Sequence, residues 1–217
     1  KTLYKGRATT GPVLPPAAQY AMALADFPAE VRPFLEYNPT RAKQLLAEAG
    51  YTKGPDTLIN VTAAWAAPAS MVAEAVAGML NAVGIRATLN WIEYAKMLAT
   101  VHRAEYPVGE MALTPRTAST PEDAHALTSF WSGGGAGNRS IVRDPEYDRL
   151  FERFRATFDE KLRAELARQL QVMAASKTYA VPLPLGDSTM IALSGLHFTW
   201  VGNTRDYGPL LETLWMD

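Results

Sequence analysis

The sequence predicts an α/β fold, a mixed sheet flanked by helices, and three observations carry that expectation. Between residues 57 and 114, segments with strand periodicity alternate with segments of helical periodicity. The connections between them are short, which suits strand-helix-strand crossovers that bring neighbouring strands together in parallel. Helix starts are also spelled out as a capping residue followed by proline, at Asn38-Pro39, Thr120-Pro121 and Asp144-Pro145. A proline at the first helical position gives up only an N–H that the helix leaves unbonded, and the residue before it supplies a side-chain acceptor.

The elements follow in order. Residues 1–35 contain Pro12, Pro15, Pro16, Pro28 and Pro33 and read as an extended, turn-rich lead-in. The first helix runs from the Asn38 cap to Gly50, with Ala42, Leu45, Leu46 and Ala49 on the stripe expected to be buried. Lys53-Gly54-Pro55 turns the chain into a strand over 57–65, rich in β-branched residues. A helix over Ser70–Val83 follows, closed by Gly84, and then a strand over 85–92 in which Ile85, Ala87, Leu89 and Trp91 alternate inward. A helix from about Glu93 to Val101 carries Tyr94, Met97 and Leu98, and a short strand is expected near 108–114.

The glycine run 133–138 reads as a flexible loop. Two helices follow it, one with Tyr147, Leu150, Phe151, Phe154 and Phe158 on its apolar face, the other with Leu162, Leu166, Leu170 and Met173. The stretch 178–186 is extended, but Pro182 and Pro184 remove ladder donors and confine it to an edge or a crossing strand.

A chain of 217 residues that is 48% hydrophobic buries a proper core, since folding at this size hides roughly 70% of the extended surface. A net charge of −1 gives no bulk attraction to nucleic acid or to an anionic membrane. No apolar run reaches the length of a membrane span. Lys1 opens the chain without a charged-then-apolar leader, so any signal peptide is expected to have been removed. The absence of cysteine excludes disulfides, thiolate nucleophiles and thiolate metal sites together.

Chemistry of the bond-breaking kind is not written here. The glycine run lacks the Lys-Ser/Thr of a phosphate-binding loop, and ALSGL at 192–196 fails the first glycine of a nucleophile elbow. His102, His125 and His197 are scattered, without the spacing of a metal site, and no cofactor is expected. Asn138-Arg139-Ser140 matches a glycosylation acceptor, a three-residue pattern that arises often by chance. Recognition is placed instead beyond the carboxyl ends of the strands, where ligands gather in open α/β sheets: at Trp65, at the Ile92–Tyr94 junction and at the Thr114–Thr117 turn. Trp65 fits a recognition surface and a lid over the following helix equally well, while the alternation makes Trp91 core.

YNPTRAKQLLAEAGY at 37–51, the segment AVAGMLNAVGIRATLNWIEYAKML, then GNRSIVRDPEYDRLFERF and the late AVPLPL resemble, in this order, the C-terminal half of family 5 extracellular solute-binding proteins of ABC importers. The resemblance runs from about Gly11 to the end. It implies a periplasmic-binding-protein-like (type II) lobe and a fragment of a two-lobed protein, with 1–190 the C-terminal ligand-binding lobe and 191–217 the segment that returns to an N-terminal lobe. The implied function is capture of a peptide-like or other small solute by two-lobe closure outside the cytoplasmic membrane and delivery to ABC permease subunits. No enzymatic step is involved. The alternative is a protein-interaction module of the same fold that has lost solute binding.

By motif position, the peptide-binding relatives have an aromatic at Tyr94, a Trp at Thr114 and an acid near Thr117 that holds a peptide's ammonium. This sequence keeps the aromatic alone, and Arg116 beside the lost acid favours an anionic or carbonyl-bearing group. The implied ligand-binding residues are Trp65, Tyr94, Thr114, Arg116 and Thr117.

Overall fold

The computed structural model describes residues 8–9, 11–14, 16, 18–64, 67–103, 105, 107, 109–114, 125–183, 185–186, 196–197 and 215–216. Strand β1 is Ala8–Thr9, and the lead-in forms short 3-10 turns at Leu24–Asp26 and Arg32–Phe34. Helix α1 is Pro39–Glu48, β2 Asp56–Val61, α2 Ala67–Val83, β3 Arg86–Trp91, α3 Tyr94–Ala99 and β4 Met111–Ala112. Then come α4 His125–Thr128, α5 Pro145–Ala156, α6 Glu160–Ser176, β5 Leu185–Gly186, β6 Leu196–His197 and β7 Trp215–Met216.

The caps are where the residue types put them. Asn38 Oδ1 accepts the Arg41 amide at 2.9 Å. Gly50 and Gly84 close α1 and α2 with φ of 82° and 105°, the left-handed conformation that only glycine adopts without cost. Strands β3, β2 and β4 lie side by side in that order, all parallel, with Val61 opposite Trp91 and Asn60 opposite Asn90 and Ala112. Asp56 and Arg86, opposite each other at the start of β2 and β3, pair through two bonds of 2.6 and 2.8 Å in keeping with that register. The antiparallel pairings are β1 with β5 and β6 with β7. The proline-flanked stretch thus ends in a two-stranded edge ladder.

Two cores result. Ile59, Val61 and Ala87 pack under Ala73 and Ala77 of α2, a small α/β core. The larger one is helical: Tyr147, Phe151 and Phe154 of α5 meet Leu166, Ala167, Leu170 and Ala174 of α6, with Leu14 from the lead-in and Leu127 of α4. The lead-in is bound to α6 rather than merely extended beside it. Gln171 Nε2 donates to the Tyr20 carbonyl at 2.7 Å, and Phe27 and Val31 are buried against Ala175.

Several expectations need correction. The stripe of α1 is not buried: the helix docks on α2, which half-covers Ala42 and Leu46 and leaves Leu45 42% exposed. The strand expected over 57–65 ends at Val61. Phe158 leaves the α5 face because the helix ends at Ala156, where Thr157 turns extended and its hydroxyl donates to the Arg153 carbonyl; the ring is 97% exposed. Leu162, at the start of α6, is likewise exposed. The glycine run forms 3-10 turns over Ser132–Gly137 instead of an irregular loop. Gly133 lies so close to Trp131 that a Cβ would sit 2.4 Å from the indole. The helix start at Thr120-Pro121 lies outside the described residues.

Candidate functional site

The parallel register decides where a site is built, because it brings the carboxyl ends of β2, β3 and β4 to one edge of the sheet. The ladder is still bonded there: the Ile92 amide donates to the Val61 carbonyl at 2.9 Å and the Leu113 amide to the Asn60 carbonyl at 3.1 Å. A polar row beneath this edge runs from β3 through β2 to Glu110, the residue before β4. Asn90 Nδ2 donates to Asn60 Oδ1 at 2.7 Å, and Asn60 Nδ2 donates to a Glu110 carboxylate oxygen at 2.7 Å. Both Asn60 and Thr62 are buried.

Beyond the edge the chain presents side chains. Glu93 caps α3, its carboxylate accepting the Ala95 amide at 2.8 Å and the Lys96 amide at 3.2 Å, so Tyr94 becomes the first helical residue and projects 38% exposed. Thr114 is half-buried just past β4. Tyr94 and Thr114 therefore follow the carboxyl ends of the two outer strands, β3 and β4, on either side of β2, as expected from the alternation of strands and helices. Trp65, Arg116 and Thr117 lie outside the described residues. Trp91 contradicts the core expectation: it is 47% exposed, because it is the last residue of an outer strand of this three-stranded sheet.

Arg139 was missed by reasoning from sequence. Its half-buried guanidinium interacts with Tyr94; burial pulls its pKa below the ordinary arginine value, and the neighbouring tyrosine partly opposes this. Its loop is held rigidly. Asn138 Nδ2 donates to the Val142 carbonyl at 2.7 Å, and the Val142 amide returns a bond to Asn138 Oδ1 at 3.0 Å. The signal was Asn138, the polar residue that ends the glycine run, which the chance glycosylation match masked. An exposed phenol ring, a hydroxyl and a half-buried guanidinium are groups able to stack, to hydrogen-bond and to meet an anion. Among the described residues no cluster of His, Asp or Glu is arranged to hold a metal ion, and no helix is long and apolar enough to cross a membrane.

A parallel sheet of this order flanked by helices is the fold of a lobe of a type II periplasmic binding protein. Residues 1–138 match the profile of bacterial extracellular solute-binding proteins, family 5 Middle, and the chain belongs to that family. Over 193 residues it is 24% identical to heme-binding protein A of Haemophilus influenzae, a match that covers 84% of this chain and 33% of that protein. Among solved structures it resembles the dipeptide-binding protein of Pseudoalteromonas sp. SM9913 in complex with Met-Leu, with a TM-score of 0.74 and 20% identity, covering 99% of this chain and 41% of that one. It also resembles MoaA of A. tumefaciens R10 in complex with mannopinic acid, with a TM-score of 0.70 and 20% identity, over 98% of this chain and 42% of that one. The chain thus spans about a third of the curated relative and about two fifths of these structures.

Proposed function

We propose that this chain is one jaw of a receptor that captures a small solute outside the cytoplasmic membrane and hands it to the permease subunits of an ABC importer. The observation that supports the reading is that Tyr94 and Thr114 both follow carboxyl ends of one parallel sheet in a member of family 5. Trp65, Arg116 and Thr117 complete the ligand surface in this reading, and residues 191–217 return to the opposing lobe. No bond is made or broken. Solute favours the closed state to the extent that it touches both lobes at once.

The charges narrow the solute. Arg139 holds a half-buried guanidinium within electrostatic reach of Tyr94, and Arg116 follows β4 in sequence, so a positive field favours a carboxylate or a carbonyl on the solute, whereas a peptide's ammonium lacks the acid that the peptide-binding relatives supply. The named relatives bind heme, Met-Leu and mannopinic acid, a range that leaves the solute to experiment. Mass spectrometry of the molecule that copurifies with the full-length protein identifies it, and calorimetry then tests the site. Tyr94→Ala is expected to weaken binding about tenfold, the effect of losing one exposed aromatic contact. Unchanged affinity in both Tyr94→Ala and Arg116→Ala would remove these residues from the site.

A further inference from the structure

We infer that the groove between the turn after α3 and the loop entering α5 is a second binding site, one that takes an oxyanion, carboxylate or phosphate, carried on a small organic body. This goes beyond the receptor reading and does not depend on it. The groove encloses about 460 Å³. Arg103 reaches it from the 3-10 turn Val101–Arg103, and Arg143 from the residue before the α5 cap. Among the described residues neither guanidinium makes an ion pair or a hydrogen bond, and both line the same concave surface. Among the described residues Asp148 is the groove's one carboxylate, and one of its oxygens already accepts the Ser132 amide at 2.9 Å, so there two cations face a single, partly engaged anion. Two like charges gathered on one concave wall attract an anion more strongly than either does alone, and each guanidinium presents the planar fork that matches an oxyanion.

The walls are built rather than incidental. Ser132 Oγ donates to the Val142 carbonyl at 3.3 Å, the oxygen that also receives the Asn138 side chain. Between them Ile141 adopts φ of 54°, a conformation that β-branched residues avoid, and its side chain lines the groove. Pro145 adds a second apolar surface. A volume of this size far exceeds a bare oxyanion, so the apolar wall calls for an organic body behind the charged head.

The test uses the 217-residue chain, with arginine side-chain NMR as readout and benzoate and phenyl phosphate as probes. Both are expected to shift the Arg103 and Arg143 Nε–H resonances saturably, more weakly as salt is added, while benzyl alcohol shifts neither. The tighter of the two probes says whether the head is a carboxylate or a phosphate. Arg103→Gln with Arg143→Gln should lose about tenfold in affinity, and Asp148→Asn, which still accepts the Ser132 amide, should gain about threefold. Single Arg→Lys changes, which keep the charge and should leave the fold intact, are expected to fall between the parent and the double variant. The inference is overturned by shifts that do not saturate, by an equal response to benzyl alcohol, by affinity unchanged in the double variant, or by weaker binding in Asp148→Asn.

Discussion

Asp144 gathers four donors on one carboxylate. Oδ1 caps α5 by accepting the Glu146 amide at 2.9 Å and the Tyr147 amide at 3.3 Å. Oδ2 accepts Lys177 Nζ at 2.5 Å and the Tyr179 hydroxyl, which ties the start of α5 to the end of α6. The Lys177 ammonium first, then the Tyr179 hydroxyl and the two amides, hold this carboxyl well below the usual carboxylate range, against the opposing effect of burial. A carboxyl that is more acidic in the folded chain adds stability that is complete above its unfolded pKa, about 4, and fades as pH falls through the folded value. At pH 7, Asp144→Ala removes cap and ion pair together and should cost about 2 kcal/mol; Asp144→Asn keeps the cap and should cost about half of that. Urea denaturation measures both. The difference between the parent and Asp144→Asn should narrow once the pH is taken below about 4.

Two turns meet at the base of the sheet, one leading from α1 into β2 and the other from α2 into β3. Gly54 has φ of 69°, and a Cβ there would lie 1.7 Å from the Gly84 carbonyl oxygen, whereas Gly50, with φ of 82°, has nothing within 4 Å. Gly54→Ala must therefore push the two turns apart and should cost more than about 3 kcal/mol or abolish folding, while Gly50→Ala carries only the backbone cost of about 1 kcal/mol. Equal denaturation midpoints for the two variants would contradict this contact. The same contrast explains what could be read from residues alone. Asn38, Asp144, Gly50 and Gly84 act within one turn of backbone, so their identities suffice, and the parallel ends that carry Tyr94 and Thr114 follow from the alternation of strand and helix. Exposure of Trp91 and Leu45 depends on what the rest of the chain lays over β3 and α1, and periodicity says only which face would be covered. Arg139 comes within electrostatic reach of Tyr94 from a segment far along the chain, a relation that local pattern does not encode.

At the scale of the molecule, the buried mass sits on α5, α6 and the lead-in, while the sheet that carries the candidate site has the smaller core and leaves Trp91 and Tyr94 open to solvent. An exposed aromatic edge is poor at holding a small molecule alone. A ligand lying on one surface keeps half of its own area in water, yet loses nearly all of the translational and rotational freedom that a fully enclosed ligand loses. In the proposed receptor the opposing lobe supplies the other half of the contacts, and only contacts made in the closed state shift the equilibrium toward it. The 217-residue chain by itself should consequently bind the identified solute at least about a hundredfold more weakly than a protein containing both lobes, a deficit of about 2.8 kcal/mol. Calorimetry on the two proteins with the same solute reads the ratio directly. Equal affinities would mean that this lobe encloses its ligand unaided, and the jaw reading would fall.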